Sequence, residues 1–450
     1  MTIIKNGMLV LEEGVVKGDL AFEEGKITRA GGQIPAGEGD EVFDAEGCFI
    51  YPGFIDQHTH LQMDTGSAWT ADDFESGTRA AACGGTTTIV DFATQDRGDT
   101  MMHALEIWKG RAEGVSRCNY AFHMAITDWN EQTKKELEKI REEGVCSFKI
   151  YMAYDNLRVS DSEALEILES MKQIGGLCGC HCENGPLITT LQQREIDAGN
   201  TGPAGHPVSR PAQAEAEAID RYTWLACLAD VPVYIVHLSS KLGLEEVRKV
   251  RERGQTVYAE TCPQYLIMDD EKYLLPGFEG AKYVMSPPLR GKEDVKALRE
   301  AVLAGEIDAI ATDHCSFNYG SQKILGKDDF RKIPNGAPGI EHRPSLVISL
   351  LQDKLDPTAL CRLLSAGPAK LMGMYPRKGS LKPGSDADVV IWDPSVNWTI
   401  EACHQQQNVD YTPYEGTKIS GRAREVFVNG VRAAHLGEPV GAPAGEYVKR

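Results

Sequence analysis

The chain has 450 residues and a mass of 49.3 kDa, and 42% of its residues are hydrophobic, enough for one large core or several smaller ones. Charged residues make up 25%, which excludes the compositions of disordered and fibrous proteins. The 66 Asp and Glu outnumber the 47 Lys and Arg, so the net charge is -19. A field of that sign repels nucleic acids and anionic membranes, and we expect neither as a partner.

The first residues lack the charged region, apolar stretch and cleavage site of a signal peptide. No apolar run approaches the ~20 residues that span a bilayer. We therefore expect a soluble, cytoplasmic protein. Its 12 Cys are too sparse for a disulfide scaffold, so we expect them to be reduced and mostly buried.

Residues 1–50 alternate apolar and polar side chains between glycines, as in Thr2-Ile3-Ile4-Lys5-Asn6-Gly7, which predicts β-hairpins. The last 70 to 80 residues show the same pattern. Residues 388–392 form a predicted strand, and residues 426–431 a strand that enters an Asn-Gly turn. Neither terminal piece has enough strands for a stable sheet alone, so we expect both to share one small β-domain.

The middle of the chain repeats one unit, in which a short apolar run is followed by a turn and an amphipathic helix. The helices are clearest at residues 131–143, 161–174, 212–229, 244–253 and 292–304. The runs occupy residues 49–56, 86–92, 120–127, 147–154, 177–183, 231–239, 256–262 and 308–314. Strands that alternate with helices pair in parallel, and eight such units are typical of a (β/α)8 barrel. A doubly wound open sheet is the alternative, but no nucleotide-binding glycine loop supports it.

These patterns predict an α/β protein with a TIM barrel and a small β-sandwich domain built from both termini. Residues 1–50 would form the N-terminal part of the sandwich. Residues 51–373 would form the barrel, and residues 374–450 the rest of the sandwich with a tail.

His58 and His60 follow the first run directly, and residues two apart in an extended chain point to the same side. Two surface histidines are the ordinary interpretation, but active sites of barrels lie at the carboxyl ends of the strands, where this pair falls. His181, His237 and Asp313 end the fifth, sixth and eighth runs. These ligands are too many for one tetrahedral ion, so we predict two metal ions.

Two adjacent cations need a bridging anion, and the fourth run offers no carboxylate at that height. It offers Lys149, flanked by bulky apolar residues. Such a site lowers the pKa of a lysine, and the neutral amine can capture CO2 as a carbamate. A buried lysine paired with Asp or Glu is the alternative, and the chemistry alone does not decide.

Cys178, Cys180 and Cys182 surround His181, but strand alternation sends all three thiols away from the site and into the core. His314 faces away from Asp313 for the same reason, so we expect it to be structural. His123, inside the third run, could support the site. The other five histidines have no predicted role: His103, His206, His342, His404 and His435.

Eight segments together resemble the amidohydrolase superfamily, and within it the hydantoinases and dihydropyrimidinases, in particular the D-hydantoinases and phenylhydantoinase-like enzymes. The segments are residues 52–60 (PGFIDQHTH), 84–88 (GGTTT), 147–149 (SFK), 236–239 (VHLS), 260–265 (ETCPQY), 286–290 (SPPLR), 311–315 (ATDHC) and 383–388 (PGSDAD).

The resemblance implies a carbamylated Lys149 that bridges two divalent metals, with His58, His60 and Asp313 on one and His181 and His237 on the other. Zinc is the expected metal, although manganese, cobalt and nickel also suit such ligands. Tyr154 would donate a hydrogen bond to the substrate carbonyl. Ser286 and Asn335 would hold the cyclic amide, largely through backbone groups.

Asp64 stands where many relatives have Pro, so the specificity for the ring substituent cannot be copied from any one relative. Three residues are expected to border the pocket for that substituent, namely Leu61, Met63 and Trp69.

The implied reaction opens the ring of a 5-substituted hydantoin or a dihydropyrimidine to an N-carbamoyl amino acid, with Asp313 as general base and then general acid. Relatives are usually homotetramers. Dihydroorotases usually have an Arg where this chain has Gln62, which argues against that activity. An allantoinase-like activity stays open, although the setting of Tyr154 favours a hydantoinase. Non-catalytic scaffolds related to dihydropyrimidinase have lost metal ligands, whereas all six are present here.

Overall fold

The computed structural model describes residues 1–450. Its chain begins with five strands, β1 (Thr2–Leu11), β2 (Gly14–Glu23), β3 (Lys26–Ala30), β4 (Glu41–Asp44) and β5 (Phe49–Pro52). Strands β1, β2 and β3 form antiparallel pairs, as the hairpin pattern predicts. Strands β4 and β5 pair with β1 in parallel.

The next eight strands form one parallel sheet in chain order, which confirms the predicted barrel arrangement. They are β6 (Phe54–Thr59), β7 (Thr86–Thr94), β8 (Asn119–Ala125), β9 (Ser147–Tyr151), β10 (Leu177–His181), β11 (Val233–Ile235), β12 (Val257–Thr261) and β13 (Ala309–Ile310). The segments that follow the first and last of these strands also pair. The amide of Asp313 donates to the carbonyl of His58 over 3.0 Å, and that of His60 to the carbonyl of His314 over 2.8 Å. These hydrogen bonds connect the two ends of the sheet.

Thirteen α-helices accompany the strands. They are α1 (Phe74–Gly84), α2 (Met101–Ala112), α3 (Glu131–Glu142), α4 (Asp161–Ile174), α5 (Gly185–Asp197), α6 (Gly205–Ser209), α7 (Ala212–Ala229), α8 (Lys241–Glu252), α9 (Pro263–Ile267), α10 (Lys292–Leu303), α11 (Arg343–Leu351), α12 (Pro357–Cys361) and α13 (Gly367–Leu371). The predicted bounds of α4 and α7 are those observed. Helix α4 begins at a capping box of Ser160 and Glu163 and ends at Gly175, in the left-handed conformation, so local chemistry sets both limits.

The chain closes with β14 (Val389–Thr399), β15 (Lys418–Val428), β16 (Val431–His435) and β17 (Glu438–Pro439). Strand β14 pairs antiparallel with β5, so both termini share one nine-stranded sheet. The predicted turn between β15 and β16 is present, with positive φ angles at Asn429 (50°) and Gly430 (78°). No helix is both long and apolar enough to cross a membrane.

The predicted first run, residues 49–56, is in fact two strands that belong to different sheets. Residues Phe49–Pro52 pair in the terminal sheet, whereas Phe54–Thr59 begin the barrel. Gly53 separates them. A Cβ at this position would lie 2.0 Å from the Thr87 hydroxyl, so only glycine fits the close approach of the two sheets.

Candidate metal centre

The six predicted metal ligands converge at the carboxyl ends of the barrel strands. Two come from strands near the middle of the sheet and the others from the segments at or just beyond the strand ends. All are buried except Asp313, whose side chain retains 15% exposure. The six are His58, His60, Lys149, His181, His237 and Asp313.

Three of these side chains form a group whose ligand atoms all lie within 4.8 Å of one another, namely His58, His60 and Asp313. Asp313 Oδ1 lies 3.1 Å from His58 Nε2 and 3.3 Å from His60 Nε2. Burial lowers the pKa of His60 to about 4, so its imidazole is neutral and its lone pair is available. Two imidazoles and a carboxylate are a donor set that suits a divalent cation.

His181 and His237 form a second pair of donors. Nδ1 of His181 lies 3.0 Å from Nε2 of His237. The other nitrogen of His181 lies 2.8 Å from a carboxylate oxygen of Glu183, which holds the proton on that side and leaves the Nδ1 lone pair free. Burial lowers the pKa of both histidines. Two neutral imidazoles that face each other fit a shared cation.

Lys149 lies between the two groups. Its Nζ is 3.1 Å from His58 Nε2, and it sits above the rings of Phe92 and Tyr151, at 4.2 and 5.0 Å from their centres. Two carboxylates, Asp313 and Glu260, are near enough for their charges to act on this amine, but neither forms a salt bridge with it. Burial lowers the pKa of Lys149, because the charged amine is poorly solvated there.

Two buried carboxylates that were not among the predicted site residues orient the histidines. Glu260 lies 2.8 Å from His58 Nδ1 and accepts a hydrogen bond from the His237 amide at 3.2 Å. Glu183 contacts His181 and accepts from Arg210 Nη1 at 2.5 Å. Burial opposes the charge of Glu183, but Arg210 and His181 overcome it and lower its pKa to about 2. Glu183 ends the fifth predicted run and Glu260 lies two residues before the end of the seventh, so the position of each acid near a strand end was a usable signal.

A cavity of about 400 Å³, the size of small-molecule sites, is lined by all the predicted ligands except His58. Tyr154, Ser286 and Asn335 all line it. The hydroxyl of Ser286 and the amide oxygen of Asn335 are buried without a hydrogen-bond partner, so both are free to bind a polar ligand. A larger cavity of about 560 Å³, beside the terminal sheet, contains none of the metal ligands.

Of the three residues expected to border the substituent pocket, only Met63 lines the cavity. Leu61 is fully buried in the core, and Trp69 is half exposed outside the cavity. Asp64 does line it, and its carboxylate accepts from the amide of Gly66 at 2.9 Å. The rim of the cavity is therefore polar beside Asp64.

The cysteine cluster and His314 lie as strand alternation predicts. All three thiols, of Cys178, Cys180 and Cys182, belong to the large barrel core of 86 buried residues. His314 is buried 3.1 Å from a carboxylate oxygen of Asp72, away from the metal ligands.

Among the remaining histidines, His123 supports the site from below. It lies 2.9 Å from the carbonyl of Gln57 and stacks on Phe92, with ring centres 4.4 Å apart. The other five lie outside the cavity that contains the ligands: His103, His206, His342, His404 and His435.

Comparison with known proteins shows which family has this fold and this arrangement of side chains. The amidohydrolase family model matches residues 49–433, so the chain belongs to the amidohydrolase family. Within it, the chain is 41% identical to the D-hydantoinase of Geobacillus stearothermophilus, over 100% of this chain and 96% of the relative. It is 40% identical to the D-phenylhydantoinase of Escherichia coli K12, over 97% and 96%. The solved dihydropyrimidinase of Brevibacillus agri superposes with a TM-score of 0.97 at 40% identity, over 100% and 98% of the two chains.

Proposed function

We propose that this protein hydrolyses the ring amide of 5-substituted hydantoins or dihydropyrimidines and releases N-carbamoyl amino acids. One observation carries the proposal. Five of the six donor side chains line a cavity that also contains Tyr154 and two unpaired polar side chains, in a chain 40% identical to hydantoinases over nearly its whole length. A cyclic amide offers the carbonyl and N–H groups that such side chains bind.

Two divalent cations would occupy the centre, one held by His58, His60 and Asp313 and the other by His181 and His237, with zinc as the expected metal. When bound, such cations supply a nucleophilic water at neutral pH and polarise a carbonyl. Lys149 would bridge them as a carbamate, formed when its neutral amine bonds to the carbon of CO2 and loses a proton. Its burial supports this assignment, because burial favours the neutral amine that reacts with CO2.

Asp313 moves the proton in this mechanism. Burial opposes its charge, but His58 and His60 overcome that effect and hold the pKa of Asp313 well below its usual value, so the carboxylate is ionised and able to accept a proton. It would take the proton of the attacking water and then donate it to the ring nitrogen as the C–N bond breaks. One group thus serves as base and then as acid.

Tyr154 would donate a hydrogen bond to the carbonyl oxygen as negative charge develops there. Its ring lies beside His181, with centres 5.3 Å apart, so it lines the same end of the cavity as the metal ligands. Ser286 and Asn335 would bind the polar edge of the ring. These contacts fix the orientation of the scissile bond and exclude water from the rest of the cavity.

The terminal sheet would form a separate β-sandwich domain of residues 1–50 and 374–450, beside a barrel of residues 51–373. A core of 13 buried residues drawn from both termini supports this division, because an independent core is the mark of a domain. We further propose a cytoplasmic homotetramer, as the family resemblance implies. Light scattering of the purified protein tests the tetramer.

A substrate panel tests the function. Purified protein is assayed with dihydrouracil, allantoin and both enantiomers of several 5-substituted hydantoins, before and after metal removal. We expect N-carbamoyl products from hydantoins or dihydrouracil, abolished by metal removal and restored by zinc. Turnover of allantoin alone would make the protein an allantoinase, and no turnover with metals bound would refute the proposal.

A further inference from the structure

Lys323 is a fully buried lysine that pairs with no carboxylate. It begins a short turn, and its side chain extends into the protein beneath the cavity. Its Nζ donates three hydrogen bonds, all to backbone carbonyls: to Val284 at 2.7 Å, Pro334 at 2.6 Å and Gly336 at 2.6 Å. A buried charge needs such compensation, and here the three carbonyls supply it together with the ring of Phe317, whose centre lies 5.7 Å from Nζ.

The three carbonyls belong to the two segments that carry Ser286 and Asn335. Val284 precedes Ser286 by two residues, and Pro334 and Gly336 flank Asn335 on either side. The amide of Gly336 also donates to the carbonyl of Val284 over 3.0 Å, so the two segments are in direct contact. The position of the lysine therefore sets the spacing between the two side chains.

Neither segment is part of a helix or strand that could hold it in place. Three acceptors around one point require three donors, and an ammonium group has one proton for each, whereas a neutral amine has only two. Burial lowers the pKa of Lys323 to about 7, and the three carbonyls bind the charged form of the amine, which has a proton for each of them. An uncharged replacement of the same length cannot make these bonds.

We propose that Lys323 is a positioning residue for substrate binding, which holds the segments of Ser286 and Asn335 at the spacing that the cyclic amide requires. The lysine does not line the cavity, so it acts through these segments and not on the substrate. This proposal rests on the proposed function, in which Ser286 and Asn335 bind the ring.

The first test compares Lys323→Met, which keeps the length of the side chain and removes its donors, with Lys327→Met at an exposed position of the same segment. We expect Lys323→Met to raise KM about tenfold or more with a much smaller change in kcat, because uniform binding is lost. Metal content should equal that of the wild type. Lys327→Met should leave all three quantities unchanged. A folded Lys323→Met protein with wild-type KM would overturn the proposal.

Hydrogen exchange supplies a readout that does not depend on activity. In Lys323→Met, amides around Val284 and Asn335 should exchange faster, while those of the barrel strands keep their protection. If the wild type opens no cyclic amide, the proposed function fails, and this local loss of protection still reports whether the lysine holds the two segments. Faster exchange throughout the protein would contradict a positioning role.

Chemical rescue separates positioning from general stability. Lys323→Ala leaves a space beside three carbonyls that n-propylammonium can enter, whereas tetramethylammonium at equal concentration has no proton to donate. We expect n-propylammonium alone to lower KM toward the wild-type value. If Lys323→Ala stays folded but the amine restores nothing, or if neither variant folds even with the amine, the proposal is wrong.

Discussion

Three of the proposed site residues have backbone angles that L-amino acids seldom adopt. The φ angles of Tyr154, His237 and Asp313 are 68°, 40° and 54°. Such conformations cost on the order of 1–3 kcal/mol each and persist where the surrounding structure enforces them. All three residues lie just beyond a strand end, where the sharp turn directs their side chains toward the cavity. We infer that this strain belongs to the construction of the site.

The proposed proton transfer by Asp313 can be tested with a substitution of the same shape. Asp313→Asn keeps the shape of the side chain but removes its ability to accept a proton, so kcat should fall by about 10² to 10⁴. The protein should still fold, because asparagine fills the same space. Steady-state kinetics and a melting curve measure the two effects. A variant with near-normal kcat would remove Asp313 from the proton transfer.

The proposed hydrogen bond from Tyr154 to the substrate carbonyl can be tested by removing its hydroxyl. Tyr154→Phe removes one hydroxyl, which should lower kcat by about 10²-fold if it stabilises charge on the carbonyl oxygen. Metal content, measured in the same preparation, should stay at the wild-type level, because the hydroxyl is not a proposed ligand. Tyr151→Phe, which alters another tyrosine of the cavity, is the matched control. Equal rates for wild type and Tyr154→Phe would assign the contact elsewhere.

The sequence predicts where the six ligand side chains lie but not what supports them. His58, His181 and Lys149 lie on strands, so alternation and barrel topology place them together. Glu260 is 202 residues from His58 in the chain, and nothing local to either residue reveals that contact. The same holds for Lys323, which looks like an ordinary surface lysine in a polar loop. Long-range contacts decide these roles.

At the scale of elements, the junction between the two sheets is the feature that sequence reasoning misses. An apolar run continues through Gly53, so residues 49–56 read as one strand. The structure divides it because Phe49–Pro52 pair with β1 and β14 while Phe54–Thr59 pair with β7. Helices are easier to predict, since their caps and periodicity are local. The partner of a strand lies elsewhere in the chain, so the strand's own sequence does not identify it.

Gly53→Ala tests this junction. The added Cβ would lie 2.0 Å from Thr87 Oγ1 and 2.6 Å from its Cγ2, so the two sheets must shift apart. We expect the free energy of unfolding to fall by about 1–3 kcal/mol, as for other overpacked sites. Gly110→Ala, in helix α2 with nothing within 4 Å, is the control and should be neutral or stabilising. Urea unfolding measures both; equal midpoints for Gly53→Ala and wild type would contradict the close approach.

At the scale of the whole molecule, two buried histidines contribute to the response to acid. Burial lowers the pKa of both His206 and His342 to about 3, whereas the unfolded chain binds a proton near pH 6.5. Above pH 6.5 both states are neutral and the histidines do not affect stability. As the pH falls from 6.5 toward 3, only the unfolded state gains protons, so the free energy of unfolding decreases.

We expect the two histidines to reduce the free energy of unfolding of the metal-free protein as the pH falls from 6.5 toward 3. The slope of this free energy against pH should be smaller in His342→Asn. His404→Asn, at a position with 75% exposure, should keep the wild-type slope. Urea unfolding at a series of pH values gives the slopes. Identical slopes for His342→Asn and wild type would show that His342 is protonated in the folded protein.

The proposed metal centre connects the barrel, the cavity and the proposed reaction, and Lys149 is the residue proposed to bridge its two ions. Without the bridging anion, four histidines and one aspartate cannot offset two adjacent dications. The most direct measurement is the metal content of Lys149→Ala beside that of the wild type and of Lys135→Ala, an exposed lysine. We predict two metal ions per chain for wild type and Lys135→Ala and the loss of both in Lys149→Ala. A Lys149→Ala protein with full metal content would contradict the account.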